Sequence, residues 1–118
     1  MLSFPSAVKI YLCIEPTDMR RGFDRLAEMA RHILRQNPLS GHVFVFRSRR
    51  GDRLKLLYWD RDGYALWYKR LEKGQFALPG KVGEDFRIGP RELAMLLEGL
   101  EEANVRRRIR FHLPQTGR

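Results

Sequence analysis

The chain has 118 residues and a mass of 14.0 kDa, which suits one domain built around one hydrophobic core. Hydrophobic residues make up 43% and charged residues 31%, a balance that predicts folding in water and excludes a polyelectrolyte or a membrane-embedded chain. No apolar run approaches the roughly 20 residues of a bilayer-spanning helix, and the first residues lack the pattern of a signal peptide. We therefore expect a cytoplasmic protein that contacts no membrane.

The charge balance is strongly basic, with 23 lysine and arginine residues against 14 acidic residues and a net charge of +9. This balance is typical of nucleic-acid-binding proteins. Most of the cations are arginine, whose planar guanidinium favours bidentate partners such as phosphate or carboxylate. An arginine-rich composition inherited from a GC-rich genome is the alternative, because net charge alone indicates only non-specific association.

The first third of the chain predicts a strand followed by a helix. Residues 8–14 form a β-branched run that ends before a proline. Residues 18–35 show apolar positions at three- and four-residue steps, with Thr17 or Asp18 as the cap, and Pro38 ends the helix. Cys13 is the only cysteine, which excludes an internal disulfide, and we expect it to lie in the core.

The middle of the chain predicts an antiparallel meander. The pattern predicts three strands joined by short polar turns, over residues 43–46, 54–59 and 64–71. Gly51 and Gly63 are expected to supply the positive φ that each hairpin turn needs.

The last third predicts a short edge strand, a polar connection, a second helix and a basic tail. The strand covers residues 76–78 and the connection residues 81–88. Pro90 begins a helix that carries a stripe of leucines. From residue 106 the chain has cations and no acidic residue, and phosphate contact, docking on an acidic partner and a solvated disordered end remain alternatives for this tail.

The two longest predicted strands have contrasting faces if Trp59 opposes Tyr64. We expect the apolar face to pack against the first helix, and the mixed face to be exposed for phosphate contact and base stacking. This assignment depends on the register, and routine packing of aromatic strand residues is the alternative. The mixed face carries Arg53, Lys55, Leu57, Trp59, Tyr64, Leu66, Tyr68 and Arg70. The apolar face carries Leu54, Leu56, Tyr58, Ala65 and Trp67.

The sequence gives little support to the hypothesis that the protein is an enzyme. The carboxylates that could hold catalytic metal ions are Asp52, Asp60, Asp62 and Glu72, all of which fall in predicted turns where aspartate is favoured for local backbone bonding. No grouping of serine, histidine and aspartate and no glycine-rich phosphate loop stands out. We expect no catalytic residue, no metal and no cofactor.

Several segments carry a family resemblance. They are Thr17-Asp18-Met19-Arg20-Arg21-Gly22-Phe23-Asp24, Gly41-His42-Val43-Phe44-Val45-Phe46, Arg50-Gly51-Asp52-Arg53-Leu54-Lys55, Tyr58-Trp59-Asp60, Gly63 and Leu66-Trp67-Tyr68-Lys69-Arg70-Leu71-Glu72-Lys73-Gly74. In order and spacing they resemble the accessory protein encoded by the second open reading frame of IS66-type insertion sequences. The resemblance covers roughly residues 8–100. The chain departs from the pattern at Phe76-Ala77-Leu78-Pro79, where a tryptophan before the proline is expected.

The resemblance implies a bacterial accessory protein of transposition, encoded beside a larger transposase that carries the catalytic carboxylates. It supplies no catalytic residues. We therefore expect a non-catalytic protein that binds DNA, such as the transposon ends, or the transposase of the same element. A protein–protein adaptor or homo-oligomer without DNA contact is the alternative, and a metal-dependent nuclease is less favoured. The candidate nucleic-acid-binding residues are Arg47, Arg49, Arg50, Arg53, Lys55, Trp59, Tyr68, Lys69, Arg70, Arg106, Arg107, Arg108 and Arg110.

The predicted fold class is α+β. A single domain over residues 1–103 should hold an antiparallel β-meander of four to five strands, an amphipathic helix packed on one face and a second C-terminal helix. Residues 104–118 form the basic C-terminal tail. The position of the first strand in the sheet is left open.

Overall fold

The computed structural model describes residues 4–99, and its described strands form one mixed sheet in the order β4-β3-β2-β1-β5. Two helices complete this part of the chain, and the arrangement confirms the α+β class. The elements are β1 (Ile10–Cys13), α1 (Phe23–His32), β2 (Val43–Arg47), β3 (Arg53–Asp60), β4 (Gly63–Arg70), β5 (Arg87–Ile88) and α2 (Pro90–Glu98).

The centre of the sheet is a parallel pair. β1 and β2 run in the same direction, because α1 lies between them in the chain and returns it to the same end of the sheet. The predicted antiparallel meander is β2–β3–β4, and β5 adds to β1 in the antiparallel direction. The open question about the first strand is thus answered: it lies between β2 and β5.

Both faces of the sheet are covered. On one face, the buried side chains of α1 pack against alternate residues of the central strands, among them Phe44, Phe46 and Leu57. On the other face, Val43, Val45 and their neighbours pack against α2 and Phe76. Central strands that are buried on both faces carry continuous apolar runs, which explains why β2 shows no alternation of polar and apolar residues.

The predicted assignment of the hairpin faces is wrong in its choice of the face that α1 covers. Trp59 does oppose Tyr64, as expected, but α1 covers the mixed face, where it packs near Leu57 and Leu66. The apolar face instead packs against α2 and Phe76. α1 therefore covers the part of the mixed face around Leu57 and Leu66, whereas Tyr68 and Arg70 at the end of β4 stay exposed.

Other boundaries also differ from the expectation. α1 begins at Phe23, with Gly22 as its N-cap, so it is shorter than the predicted helix over residues 18–35. Residues 76–78 form no strand, and the short edge strand of the sheet is β5, which lies within the predicted polar connection. In the turn between β3 and β4 the positive φ belongs to Arg61 at 58° rather than to Gly63. The predicted second helix and the buried position of Cys13 are confirmed.

Phe76 should be a main contributor to stability, because its ring is 0% exposed and lies in the core beneath α2. We expect Phe76→Ala to lower the free energy of unfolding by about 3–5 kcal/mol, through lost burial and the cavity left behind. Leu78→Ala is the matched control, since Leu78 is 44% exposed, and it should cost no more than about 0.5 kcal/mol. Urea denaturation measures both, and equal losses would contradict the assigned role of Phe76.

His42 joins the starts of β1 and β2 through a hydrogen bond. Its Nδ1 accepts the backbone N–H of Lys9 at 3.0 Å, so this nitrogen must be unprotonated. Burial, and then the positive charges of Lys9 and Arg87, lower the pKa of His42 below its ordinary value. Its protonation is therefore disfavoured in the folded protein and opposes folding.

The free energy of unfolding should consequently fall as the pH is lowered from about 7 to about 5, because the unfolded chain takes up a proton on residue 42 before the folded chain does. The stabilising contribution of neutral His42 is fully present above the ordinary histidine pKa and is lost as the pH falls below that value. His42→Asn keeps an acceptor that does not titrate, so its stability should depend less on pH over this interval. Urea denaturation at several pH values measures both proteins, and equal slopes would contradict this role of His42.

Candidate nucleic-acid interface

The turn between β2 and β3 is built around Ser48, which is buried. Its hydroxyl accepts the backbone N–H of Arg53 at 3.0 Å and lies 3.2 Å from a carboxylate oxygen of Asp52, to which it donates. Its carbonyl accepts the N–H of Gly51 at 2.9 Å. These bonds fix the backbone of residues 48–53, so the exposed side chains of Arg49 and Arg50 project from an ordered turn.

A second segment of chain holds the same turn from the side. The backbone N–H groups of Leu71 and Phe76 donate to the carbonyls of Asp52 and Gly51, each at 2.7 Å. The side-chain amide of Gln75 donates to the carbonyl of Arg50 at 2.9 Å. Every one of these acceptors is a main-chain carbonyl, so the shape of the turn is set by its backbone.

Arg47 and Gly51 complete this support. The Nε–H of Arg47 donates to the carbonyl of Phe76 at 2.6 Å, and burial lowers the pKa of its guanidinium below the ordinary value. Gly51 has a φ of +78°, and a Cβ at this position would overlap the Arg47 guanidinium. Only glycine satisfies both requirements. Arg47 is therefore half-buried, and its guanidinium supports the turn through the carbonyl of Phe76.

The segment before α1 presents a second fixed arginine. Arg20 donates from its backbone N–H to Asp18 Oδ1 at 2.9 Å, and its Nε and Nη2 bind the same carboxylate at 3.0 and 2.6 Å. The carboxyl of Asp18 has a pKa well below its usual range, chiefly because the Arg20 guanidinium donates to it. The side chain of Arg20 is 92% exposed, so it is oriented by Asp18 and open to solvent.

Lys55 and Thr17 bring this segment beside the turn. The ammonium of Lys55 donates to the carbonyls of Met19 and Arg21 at 2.8 and 2.9 Å. The N–H of Thr17 donates to the carbonyl of Arg47 at 2.9 Å. Lys55 is only 6% exposed, so it positions residues 19–21 instead of offering a free charge.

An open cleft of about 360 Å3 lies between the segment and the turn. Four guanidinium-bearing residues and two carboxylates line it, together with Thr17, Met19 and Ser48. The charged lining residues are Asp18, Arg20, Arg49, Arg50, Asp52 and Arg53. The excess of cations favours an anionic ligand.

The ends of β3 and β4 extend the positive charge of this cleft. Arg53 stands directly opposite Arg70, an arrangement of like charges that costs stability in a sheet. Arg70 is paired with Glu72 at 3.1 Å, and Arg53 donates to the Tyr68 hydroxyl at 3.3 Å. The Tyr68 ring is 47% exposed and lies 4.6 Å from the Lys55 ammonium. An anion bound between the two arginines would relieve their repulsion.

We call the combined area the basic surface, and its members come from three separated parts of the chain. Five arginines and one aromatic ring form this surface. Such a set of side chains can contact phosphate groups and stack on bases. The basic surface consists of Arg20, Arg49, Arg50, Arg53, Tyr68 and Arg70.

The structure separates the remaining predicted residues from the basic surface. Lys69 lies on the opposite face of the sheet, beside an apolar groove. Trp59 stacks edge-on against Tyr64 at 5.1 Å, six residues along β3 from Arg53 and so about 20 Å away. The candidates Arg106, Arg107, Arg108 and Arg110 and the proposed boundary at residue 103 lie outside the described residues.

Arg20 was missing from the residues predicted from the sequence. Its signal is the spacing Asp18-Met19-Arg20, in which the aspartate can bind both the backbone and the side chain of a residue two positions later. The helix predicted over residues 18–35 includes Arg20, and this local arrangement would not form inside a continuous helix.

The carboxylates considered for metal chemistry are divided between the two ends of the β3–β4 hairpin. Asp60 and Asp62 flank one end, whereas Asp52 and Glu72 lie near the other. Among residues 4–99, no three histidine, cysteine, aspartate or glutamate side chains are grouped to hold a metal ion. Neither of the two described helices has the length and apolar character needed to cross a membrane.

The apolar groove on the other face of the sheet has a volume of about 400 Å3. The N-terminal segment, β4 and α2 form its walls. It is lined by Phe4, Pro5, Val8, Ile10, Trp67, Lys69, Pro90, Leu93, Ala94, Leu97 and Glu98. This groove is lined mostly by apolar residues and so differs in character from the basic surface.

Comparison with known proteins identifies the family. A family model described as IS66 Orf2 like protein matches residues 8–107, and the chain belongs to this family, which is associated with insertion sequences. The match confirms the resemblance seen in the sequence and extends it into the start of the basic tail.

Two proteins of Sinorhizobium fredii (strain NBRC 101917 / NGR234) are similar over most of their length. Uncharacterized protein y4hO is 40% identical over 101 residues, which cover 86% of this chain and 88% of that protein. Uncharacterized protein y4jC is 34% identical over 108 residues, which cover 92% of each. No solved structure matches the chain.

Lys55 provides a direct test of how the cleft is assembled. We expect Lys55→Met to lower the free energy of unfolding by about 1–3 kcal/mol, because the carbonyls of Met19 and Arg21 lose their donor. Lys69→Met, which removes the same charge from an exposed position, should change stability by no more than about 0.5 kcal/mol. Chemical denaturation compares the two, and an unchanged K55M variant would show that the ammonium does not hold this segment.

Proposed function

We propose that this protein is a non-catalytic accessory factor of IS66-type transposition that binds DNA of its element through the basic surface. The observation that carries the proposal is the cleft between residues 17–20 and the turn at residues 48–53, which four arginines line. Family membership supplies the context of an insertion sequence.

The arrangement of the basic surface supports a phosphate partner over a general solubility role. Asp18 orients Arg20, and backbone bonds fix the turn that bears Arg49 and Arg50. Side chains that are oriented in advance lose less conformational entropy when they bind a phosphate. Tyr68 adds a partly exposed aromatic ring beside two arginines, which suits contact with an unpaired base.

A mobility-shift titration with the terminal repeats of the element tests this proposal. The affinity should fall steeply with salt, with a slope of about −0.9 in log K against log salt concentration for each phosphate contacted on duplex DNA. Arg50→Ala and Arg53→Ala should each weaken binding across sequences and reduce the slope by about one contact.

Arg31→Ala is the matched control, because it makes the same change of charge in the last turn of α1. It should leave both affinity and slope near their wild-type values. Absence of binding at low salt, with or without the transposase, would refute the proposal. Equal losses for R31A and R53A would show that net charge alone is responsible.

Contact with the transposase of the same element is a second candidate function, and the apolar groove beside Trp67 and Leu97 favours it. Pull-down of the transposase that survives nuclease treatment and moderate salt would support direct protein contact. A pull-down that salt or nuclease abolishes would support an association through DNA. Both candidates are compatible with a protein that performs no chemistry.

A further inference from the structure

The long edge strand β4 is the feature that this inference concerns. β4 pairs with β3 on one side, and within residues 4–99 no strand pairs with its other side. Proteins usually shield such edges with short strands, prolines, bulges or charged side chains, and the charged residues of β4 are confined to Lys69 and Arg70 at its end. β5, at the other edge, has only two residues, but β4 has eight residues in unbroken register and contains no proline.

The hydrogen-bonding pattern shows which backbone groups face the open edge. The N–H of Leu71 donates to the carbonyl of Asp52 at 2.7 Å, which continues the β3–β4 ladder. Since inward and outward groups alternate along an antiparallel strand, odd-numbered residues of β4 bond to β3. The backbone groups of Tyr64, Leu66, Tyr68 and Arg70 therefore point to the open edge.

We propose that this edge pairs with β4 of a second copy of the chain, antiparallel and centred on Leu66. In this register Tyr68 stands opposite the partner's Tyr64, and Trp67 stands opposite the partner's Ala65. The large side chain of Trp67 then packs beside the small one of Ala65, and the two tyrosine rings form an aromatic cross-strand pair. The two sheets become one continuous sheet across a two-fold axis.

Charge complementarity favours a second copy of the chain as the partner, paired in the register centred on Leu66. Centring on Leu66 places Arg70 level with the partner's Asp62, the turn residue just before β4, and the side chain of Arg70 is 56% exposed. The two Arg70 residues lie about 27 Å apart along the paired strands, well beyond the screening length of about 8 Å at physiological salt. A register centred on Trp67 would place two tryptophans together and would put Arg70 opposite the partner's Tyr64, with no carboxylate of the partner.

Cysteine cross-linking tests the register. Leu66 opposes its own copy at a Cα separation of about 5.5 Å in a hydrogen-bonded pair, which a disulfide can span. We expect Leu66→Cys to form a covalent dimer rapidly under mild oxidation. The wild-type protein, whose Cys13 is buried, should not do so. Ala65→Cys is the matched control, since residue 65 stands opposite the partner's residue 67 and not opposite its own copy. Trp67→Cys would cross-link best only in the register centred on Trp67.

Sedimentation measurements on the full chain test the interface without cross-linking. At tens of micromolar the wild-type mass should approach twice the 14.0 kDa of the chain. Asp62→Arg should raise the dimer dissociation constant about tenfold, because both symmetric pairs become repulsive, and combining it with Arg70→Asp should restore much of the affinity.

A monomer at every concentration would overturn the proposal, as would a dimer that cross-links best through another position or ignores the charge changes. Circular dichroism of each variant verifies its folding. The measurements contain no DNA, so their failure would leave the proposed function of the basic surface untouched.

Discussion

Burial of the central strands on both faces is the constraint on which the rest of this structure depends. β1 and β2 are parallel and apolar on both sides, so each face requires a covering layer. α1 supplies one layer, and α2 together with Phe76 supplies the other. The free energy of folding comes largely from these two interfaces, since apolar burial is the dominant favourable contribution in a domain of this size.

The same constraint decides where charged groups can lie. With both faces covered, the open positions are at the ends of the strands, in the turns and along the outer edge of β4. The basic surface forms at one end, where the turn at residues 48–53, the segment before α1 and the end of β4 meet. Lys55 shows the transition, because its stem crosses the buried face while its ammonium bonds to two backbone carbonyls at the margin.

Sequence patterns predicted the local elements well and their layering poorly. The period-two runs located β2, β3 and β4, and the leucine stripe with Pro90 located α2. The side of the hairpin that α1 covers could not be predicted, because Lys55 is typical of an exposed strand, and the carbonyls that bind its ammonium come from residues 34 and 36 positions away. Arg49, Arg50 and Arg53 were predicted as candidates and lie together, whereas Arg20 joined them only through the tertiary fold.

The backbone support of the turn at residues 48–53 has a consequence for how such a protein can diversify. Phe76, Leu71 and Gln75 all bond to main-chain carbonyls of the turn, so the side chains at positions 49 and 50 are not needed to shape it. Substitutions there can change the charge of this part of the surface while the scaffold folds as before. A chain with other side chains at these two positions should therefore form the same turn, because the constraint on its shape lies in the backbone bonds and in Gly51.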